Sequence, residues 1–470
     1  MLFNSLTFLV FFVSVYGIYW LLRGWDARKN LLLAASYLFY AAWNPPYIFI
    51  LLFSTSLDWW LARLIWRSDN DRRRRGLLVL SLVSNLGLLG FFKYGGFLLQ
   101  NFRWLLSLAG VAYQPPAMDI ILPVGISFYT FASLSYTIDV YRREVNGDWG
   151  WRDYALFVSF FPHLVAGPIV RARQLLPQIA APRRPNADQI GWGLVLVCIG
   201  LFIKAVLADS IFAPVVDAVY DGNGPLGAVD SWAAVLGFSG QIYCDFSGYS
   251  LCAIGLALCF GFEFPDNFRY PYAARGFSDF WRRWHITLST WLRDYLYVSL
   301  GGNRRGRART YINLMLTMLI GGLWHGASWM FVLWGGLHGM YLAIERWLRD
   351  RFGEPQPGWF RDVPLTLLTF LVVTLTWIPF RAHSLHAAAR VSAGLFGFLA
   401  APQLGTSQLL ICYLSALMVV GWHFYSRDSS LEDRFGHLGA VTQAAALGTC
   451  LVAIFLCSGG DERAFIYFQF

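Results

Sequence analysis

Ten stretches of this 470-residue chain are apolar over lengths that meet or approach the thickness of a bilayer, and short arginine-rich clusters separate most of them. A helix needs about 20 apolar residues to cross about 30 Å of hydrocarbon. The candidate spans are 2–22, 31–43 with its Pro45-Pro46 exit, 47–66, 77–92, 120–138, 190–208, 231–262, 363–380, 409–425 and 440–458. Composition agrees: 57% of residues are hydrophobic and 14% charged, against roughly 45–50% and 25% in soluble domains. The spare apolar surface must face lipid, which excludes an ordinary cytosolic enzyme. The expectation is an all-α polytopic membrane protein forming a single integral-membrane domain over residues 1–470. Leu2 to Leu22 has no positive n-region and no small-residue cleavage site, so it reads as a retained transmembrane helix.

A net charge of +9 raises the question of nucleic acid, but the basic residues do not line one domain face. They fall between the apolar segments, which is the positive-inside pattern of a membrane protein. The clusters are Arg23, Arg28 and Lys29; Arg72 to Arg75; Arg142 and Arg143; Arg171, Arg173, Arg183 and Arg184; Arg269 and Arg275; Arg304, Arg305, Arg307 and Arg309; and Arg346, Arg349 and Arg351. All are expected in the cytoplasm, and ten crossings then put both termini outside. Lysine occurs only at 29, 93 and 204. The arginine bias suits contacts with phosphate and carboxylate, and a GC-rich genome would give it equally.

An apolar segment lying between two cytoplasmic clusters must cross twice or not at all. Three segments are caught this way: 154–170, broken by Pro162 and Gly167-Pro168; 278–300, charged throughout; and 311–344, too long for one helix. They are expected to be re-entrant, interfacial or hairpin segments, tolerated only where protein or a water-filled cavity satisfies the backbone. They would line a cavity opening to the cytoplasm.

Within 281–297, Trp281, Trp284, His285, Leu288, Trp291, Leu292 and Tyr295 recur at i, i+3, i+4 spacing and predict one aromatic helix face. Arg282, Arg283, Arg293 and Asp294 bracket it. Two readings stand: a Trp-belted interfacial anchor in which His285 merely packs, and a cavity-lining helix in which His285 works. Tyr311 to Ile344 holds 34 residues without Asp, Glu, Lys or Arg, about 51 Å as a single helix at 1.5 Å per residue. It must break or fold back, and Gly321, Gly322 and Gly326 around His325 supply the places. His325 is then at or near a bend, either as a hydrogen-bonding partner between helices or as a working imidazole. His338, 13 positions on, would not share its face on an ideal helix and is expected to pack structurally.

An imidazole in this setting suits proton transfer: neutral, it takes a proton from a hydroxyl attacking a carbonyl and returns it to the leaving group. No GxSxG elbow, HExxH, Walker loop or Cys beside His is present, so no covalent nucleophile is recognisable. The seven cysteines show no Cys-x-x-Cys pair, and neither a disulfide framework nor a metal site is expected. Cys244, Cys252 and Cys259 lie roughly on one helix face and are read as packing residues. The arginines at 304–309 are a topology determinant, or a pole for a phosphate-bearing donor. Asp245, with Gln241, Ser247 and Gly248 at membrane depth, needs a cavity or a buried Arg or His partner.

The runs ILPVGISFYTFASLSYTIDVYR (121–142), FFPHLVAGPIVRA (160–172), QIYCDFSGYS (241–250), DFWRRWHITLSTWLRDYLYVSLGGNR (279–304), LWHGASWMFVLWGGLHG (323–339) and the closing FIYFQF (465–470) together resemble the membrane-bound O-acyltransferase (MBOAT) family. Within it they are similar to the AlgI-like bacterial branch associated with alginate O-acetylation. The resemblance implies an MBOAT-like helical bundle whose re-entrant segments line a central funnel or tunnel, in the bacterial inner membrane. It implies acetyl-CoA as the acyl-donor substrate, with no permanently bound cofactor. It also implies His325 as catalytic base and His285 as the second active-site histidine. Implied partners are periplasmic acetyltransferase proteins, polysaccharide export machinery and the bilayer, with no nucleic acid. The acceptor stays open among alginate, cellulose, peptidoglycan and other glycans. From another class, a transporter or flippase of an acylated carrier or glycan is the alternative, disfavoured by the lack of internal repeats. An O-acyltransferase acting on a lipid or protein is a third reading.

Overall fold

The computed structural model describes residues 1–113, 121–353, 358–398, 400–457, 463, 465 and 466. Residue 120 of the span 120–138, residue 458 of the span 440–458, and residues 467–470 of the closing motif lie outside the described residues. Among those described, helix is the only regular structure. Among the described residues, seven helical stretches are long and apolar enough to cross a membrane: Tyr47–Arg67, Asp71–Leu108, Ala187–Tyr220, Ala228–Cys259, Phe360–Arg381, Thr406–Ser426 and Ala440–Cys457. The three remaining predicted spans are helices of 16, 17 and 16 residues, Leu6–Leu21, Trp25–Ala41 and Ile126–Tyr141.

The chain folds into two compact units, the first comprising residues 1–193, 256–265 and 326–328. Its helices are α1 (Leu6–Leu21), α2 (Trp25–Ala41), α3 (Tyr47–Arg67), α4 (Asp71–Leu89), α5 (Gly95–Leu108), α6 (Ile126–Tyr141), α7 (Trp151–Ser159), α8 (Phe161–Leu164) and α9 (Ala172–Ala180). A π-helical turn, Gly90–Tyr94, joins α4 to α5. Fourteen of the sixteen α6 residues are buried, so protein rather than lipid surrounds it. The segment 154–170 does not cross as one helix. At nine residues α7 is too short to span, Pro162 opens the single turn of α8, and irregular backbone follows to Arg171. Near the centre, Asp58 of α3 accepts hydrogen bonds from Ser81 (2.6 Å) and from the Asn85 amide (2.9 and 2.8 Å) of α4. Ser54 donates in turn to Asn85 Oδ1 (3.1 Å).

The second unit comprises residues 194–255, 266–325 and 329–470. It is built from the end of α10 (Ala187–Leu201), α11 (Ala213–Tyr220), most of α12 (Ala228–Cys259), α13 (Phe277–Arg283), α14 (Ile286–Trp291), α15 (Arg307–His325), α16 (Trp329–Phe352), α17 (Trp359–Arg381), α18 (Leu385–Gly394), α19 (Thr406–Ser426), α20 (Leu431–Gly436) and α21 (Ala440–Cys457). Eleven residues, Phe202–Phe212, are π-helical between α10 and α11, and Leu292–Tyr297 are π-helical after α14.

The charge-free stretch folds back as predicted, into α15 and α16. Gly321 and Gly322 are not the break; both lie inside α15, and the chain turns at 326–328. Gly322 serves close approach instead. A Cβ there would sit 2.3 Å from the Phe331 carbonyl oxygen and 3.0 Å from Gly335 Cα. At Gly335 it would meet the Met318 carbonyl oxygen at 2.3 Å. Two facing glycines thus let the antiparallel backbones touch.

Candidate active site

The continuous aromatic helix expected over 281–297 is interrupted near its start. α13 ends at Arg283 and α14 starts at Ile286, with His285 between them at φ 41°, in the left-handed region. A non-glycine residue there costs roughly 1–3 kcal/mol and persists only when its surroundings over-determine it. The preceding segment supplies that determination. Ile286 N–H donates to the Asn267 carbonyl (2.9 Å) and Arg269 N–H to the Arg283 carbonyl (2.9 Å), a pairing that helix continuation would forbid. The start of α13 is fixed as firmly, because Glu345 of α16 accepts from the backbone N–H of Phe277 and of Ser278 (3.1 Å). Burial opposes the charge on Asp279. Even so, the Arg275 N–H (2.9 Å), Arg283 (2.9 Å) and Arg427 (3.1 Å) hold that carboxyl below its ordinary range.

The His285 side chain is fully buried. Asn267 Oδ1 lies 3.0 Å from its Nδ1 and also accepts from Thr287 Oγ1 (2.8 Å), while Asn267 Nδ2 donates to Ser250 Oγ (3.0 Å). With the amide oxygen facing the ring, the proton sits on Nδ1 and Nε2 carries the lone pair. Nε2 is buried and has no hydrogen-bond partner among the described residues. Burial, with no other cause, pushes this imidazole down to about 3, so it stays neutral at working pH. Phe246 meets the ring edge-on at 4.5 Å between centroids.

His325 ends α15 and is 3% exposed. Its ring stands nearly perpendicular to those of Trp324 (5.0 Å), Trp334 (5.0 Å) and Phe380 (5.4 Å). Trp324 is also 6.2 Å from the His285 ring. One indole therefore has both predicted histidines against it, although forty residues of sequence separate them. His338 packs on the far side of this cluster, its ring 4.8 Å from Trp334, and its Nε2 meets Thr376 Oγ1 at 3.2 Å. The spacing on one ideal helix does not apply to it, because the chain turns back between the two histidines.

Asp245 also finds a partner, and it is neither Arg nor His. Lys204 forms an ion pair with it, both side chains 3% exposed, and reaches Asp209 at 2.7 Å. Hydrogen bonding in a π-helix runs from residue i to i+5, which sets Lys204 and Asp209 one turn apart; an α-helix would point them in different directions. Cys244, Cys252 and Cys259 are buried packing residues, as expected. Arg304, Arg305 and Arg307 are exposed ahead of and at the start of α15. Sequence reasoning missed Asn267, Lys204 and the seat of Phe465 and Ile466. Phe465 packs 5.3 Å from Phe246 and 4.9 Å from Tyr249, and Ile466 N–H donates to Asp245 (2.9 Å).

The profile of the membrane-bound O-acyltransferase family matches residues 39–366. The chain is 38% identical, over the whole of both sequences, to the probable alginate O-acetylase AlgI of Pseudomonas putida. It is 37% identical to the peptidoglycan O-acetyltransferase of Helicobacter pylori, covering 84% of this chain and 80% of that one. A more remote relative, the teichoic acid D-alanyltransferase of Streptococcus thermophilus, is 27% identical over 54% of this chain and 65% of its own. The chain is a multi-pass membrane acyltransferase and belongs to the membrane-bound O-acyltransferase family.

Proposed function

We propose that this protein is an inner-membrane O-acetyltransferase. It takes an acetyl group from a cytosolic donor, acetyl-CoA, and passes it across the membrane for O-acetylation of an exported polysaccharide such as alginate. Periplasmic acetyltransferase proteins complete the transfer. The observation that carries the reading is the pair of buried imidazoles on Trp324, one of them with an unpartnered lone pair. The AlgI relative supports the acetyl group and alginate as acceptor class.

In this reading His325 is the general base. As an acceptor hydroxyl oxygen bonds to the acetyl carbonyl carbon, its proton passes to the imidazole. The carbon–sulfur bond then breaks and the leaving thiolate takes that proton back. The transient imidazolium lies at the carbonyl end of α15, where a positive charge is favoured. His285 accepts a hydrogen bond at Nε2 from the same hydroxyl and aims it. The exposed arginines at the start of α15 attract the donor's phosphates.

Replacing His325 by Ala in folded, membrane-inserted protein is expected to lower acetyl transfer by about 10²–10⁴-fold, the range of a general base; unchanged transfer would overturn the assignment. Donor hydrolysis or exchange by the purified protein separates an acyltransferase from a transporter, which does neither. The Helicobacter relative favours peptidoglycan as the second acceptor reading, so both glycans belong in the transfer assay.

A further inference from the structure

We propose that Lys204 is a positioning residue of the active site, acting through Asp245 to hold Phe465 and Ile466 beside His285. The proposal rests on the reading of His285 as an active-site histidine. A contact path runs from the π-helical segment to that ring. Lys204 is salt-bridged to Asp245, and the Asp245 carboxylate accepts the Ile466 N–H at 2.9 Å. Phe465, one residue before, lies against Phe246 and Tyr249, and Phe246 meets His285 edge-on at 4.5 Å.

Three features argue that this is more than packing. Asp245 and Lys204 are each only 3% exposed in their side chains, and a charge at membrane depth persists when it is paired and has a task. The π-helical winding that brings Lys204 and Asp209 together is uncommon, and such segments occur frequently at functional sites. The chain here also has a second, weaker fastening, Arg463 to Asp217, in which both side chains are about one-third exposed. Solvent screens that pair, which leaves the buried carboxylate to fix the depth of Phe465 and Ile466. Asp245 therefore performs two tasks with its two oxygens: Oδ1 takes the lysine and Oδ2 takes the backbone.

The test reads the seat directly. Ile466→Cys is introduced and its modification by a membrane-impermeant maleimide is localised by mass spectrometry, so the seven native cysteines do not interfere. In the otherwise native full-length protein the rate is expected to be low; with Lys204→Met it is expected to rise at least tenfold in monodisperse protein. Should Lys204→Met not fold, Asp245→Asn, of the same shape, is read in the same way. A second arm is a cycle of acetyl-transfer rates. Lys204→Met and Phe465→Ala are each expected to lower kcat about tenfold or more with the donor KM little changed, and the double variant to lose no more than the worse single one. Unchanged labelling in folded Lys204→Met or Asp245→Asn protein overturns the proposal, as do losses that multiply. The labelling needs no activity, so it stands or falls separately from the role of His285.

Discussion

Asn267 fixes both the backbone and the ring of His285. Its carbonyl receives Ile286 N–H and its amide oxygen receives the imidazole Nδ1–H. Each bond is worth about 0.5–1.5 kcal/mol net, so together with the Thr287 and Arg269 bonds they outweigh the roughly 1–3 kcal/mol cost of the left-handed φ. Changing Asn267 to Asp sets a buried carboxylate at the same 3.0 Å from Nδ1. The negative charge favours the imidazolium, so the histidine gains a proton that its proposed role requires it to lack. Acetyl transfer by Asn267→Asp is expected to show a new ascending limb toward higher pH; a pH–rate profile unchanged from wild type would contradict the tautomer assignment. Nothing in the sequence singled out Asn267, because its importance comes from an 18-residue return of the chain. His285 was legible as an ionisable group among aromatics, and its conformation was not.

At the level of elements, length arithmetic read the α15–α16 hairpin well, since a charge-free run longer than the bilayer is thick has few ways to lie. The same local reasoning failed at 281–297. Apolar residues at i, i+3 and i+4 spoke for one helix, and the pairing of residues 267–269 with 283–286 overrode them. The π-helical run Phe202–Phe212 was likewise hidden, because every residue in it reads as ordinary α-helix. The glycines of the hairpin give a graded test. Gly322→Ala or Gly335→Ala drives a methyl group to 2.3 Å from a backbone oxygen that cannot yield, and is expected to cost about 3 kcal/mol or more, at or above the usual range for overpacking. In Gly336→Ala the nearest atom is Leu319 Cδ2 at 3.5 Å, ordinary contact, and stability should stay close to wild type. Thermal unfolding of the purified variants checks both, and equal melting temperatures for Gly322→Ala and Gly336→Ala would count against the close approach.

For the molecule as a whole, His285 and His163, both outside the spanning helices, are kept neutral by burial. His285 is depressed to about 3; burial also lowers His163, with backbone hydrogen bonds working against it, to about 4. The unfolded chain takes up protons near pH 6.5 that the folded one refuses. Their contribution to stability is therefore complete above pH 6.5 and is lost as pH falls toward 4 and then 3, about 2 kcal/mol for each at pH 5. The melting temperature is expected to drop between pH 7 and pH 5, and a flat profile would mean that these rings titrate freely. A different consequence follows from Asp58. Its carboxylate lies in α3, yet two of the three groups that satisfy it, Ser81 and Asn85, are carried by α4, and the third, Ser133, by α6. Offered to the membrane by itself, α3 carries an acidic residue near its middle, a penalty of about 2.5–3.5 kcal/mol for insertion. Biogenesis of this end of the protein is thus expected to be a joint event, with the translocation machinery holding α3 until α4 emerges and the two entering lipid as a pair. Insertion of α3 alone, scored by glycosylation mapping, is expected to be poor and to rise when α4 follows it or when Asp58 is replaced by Leu.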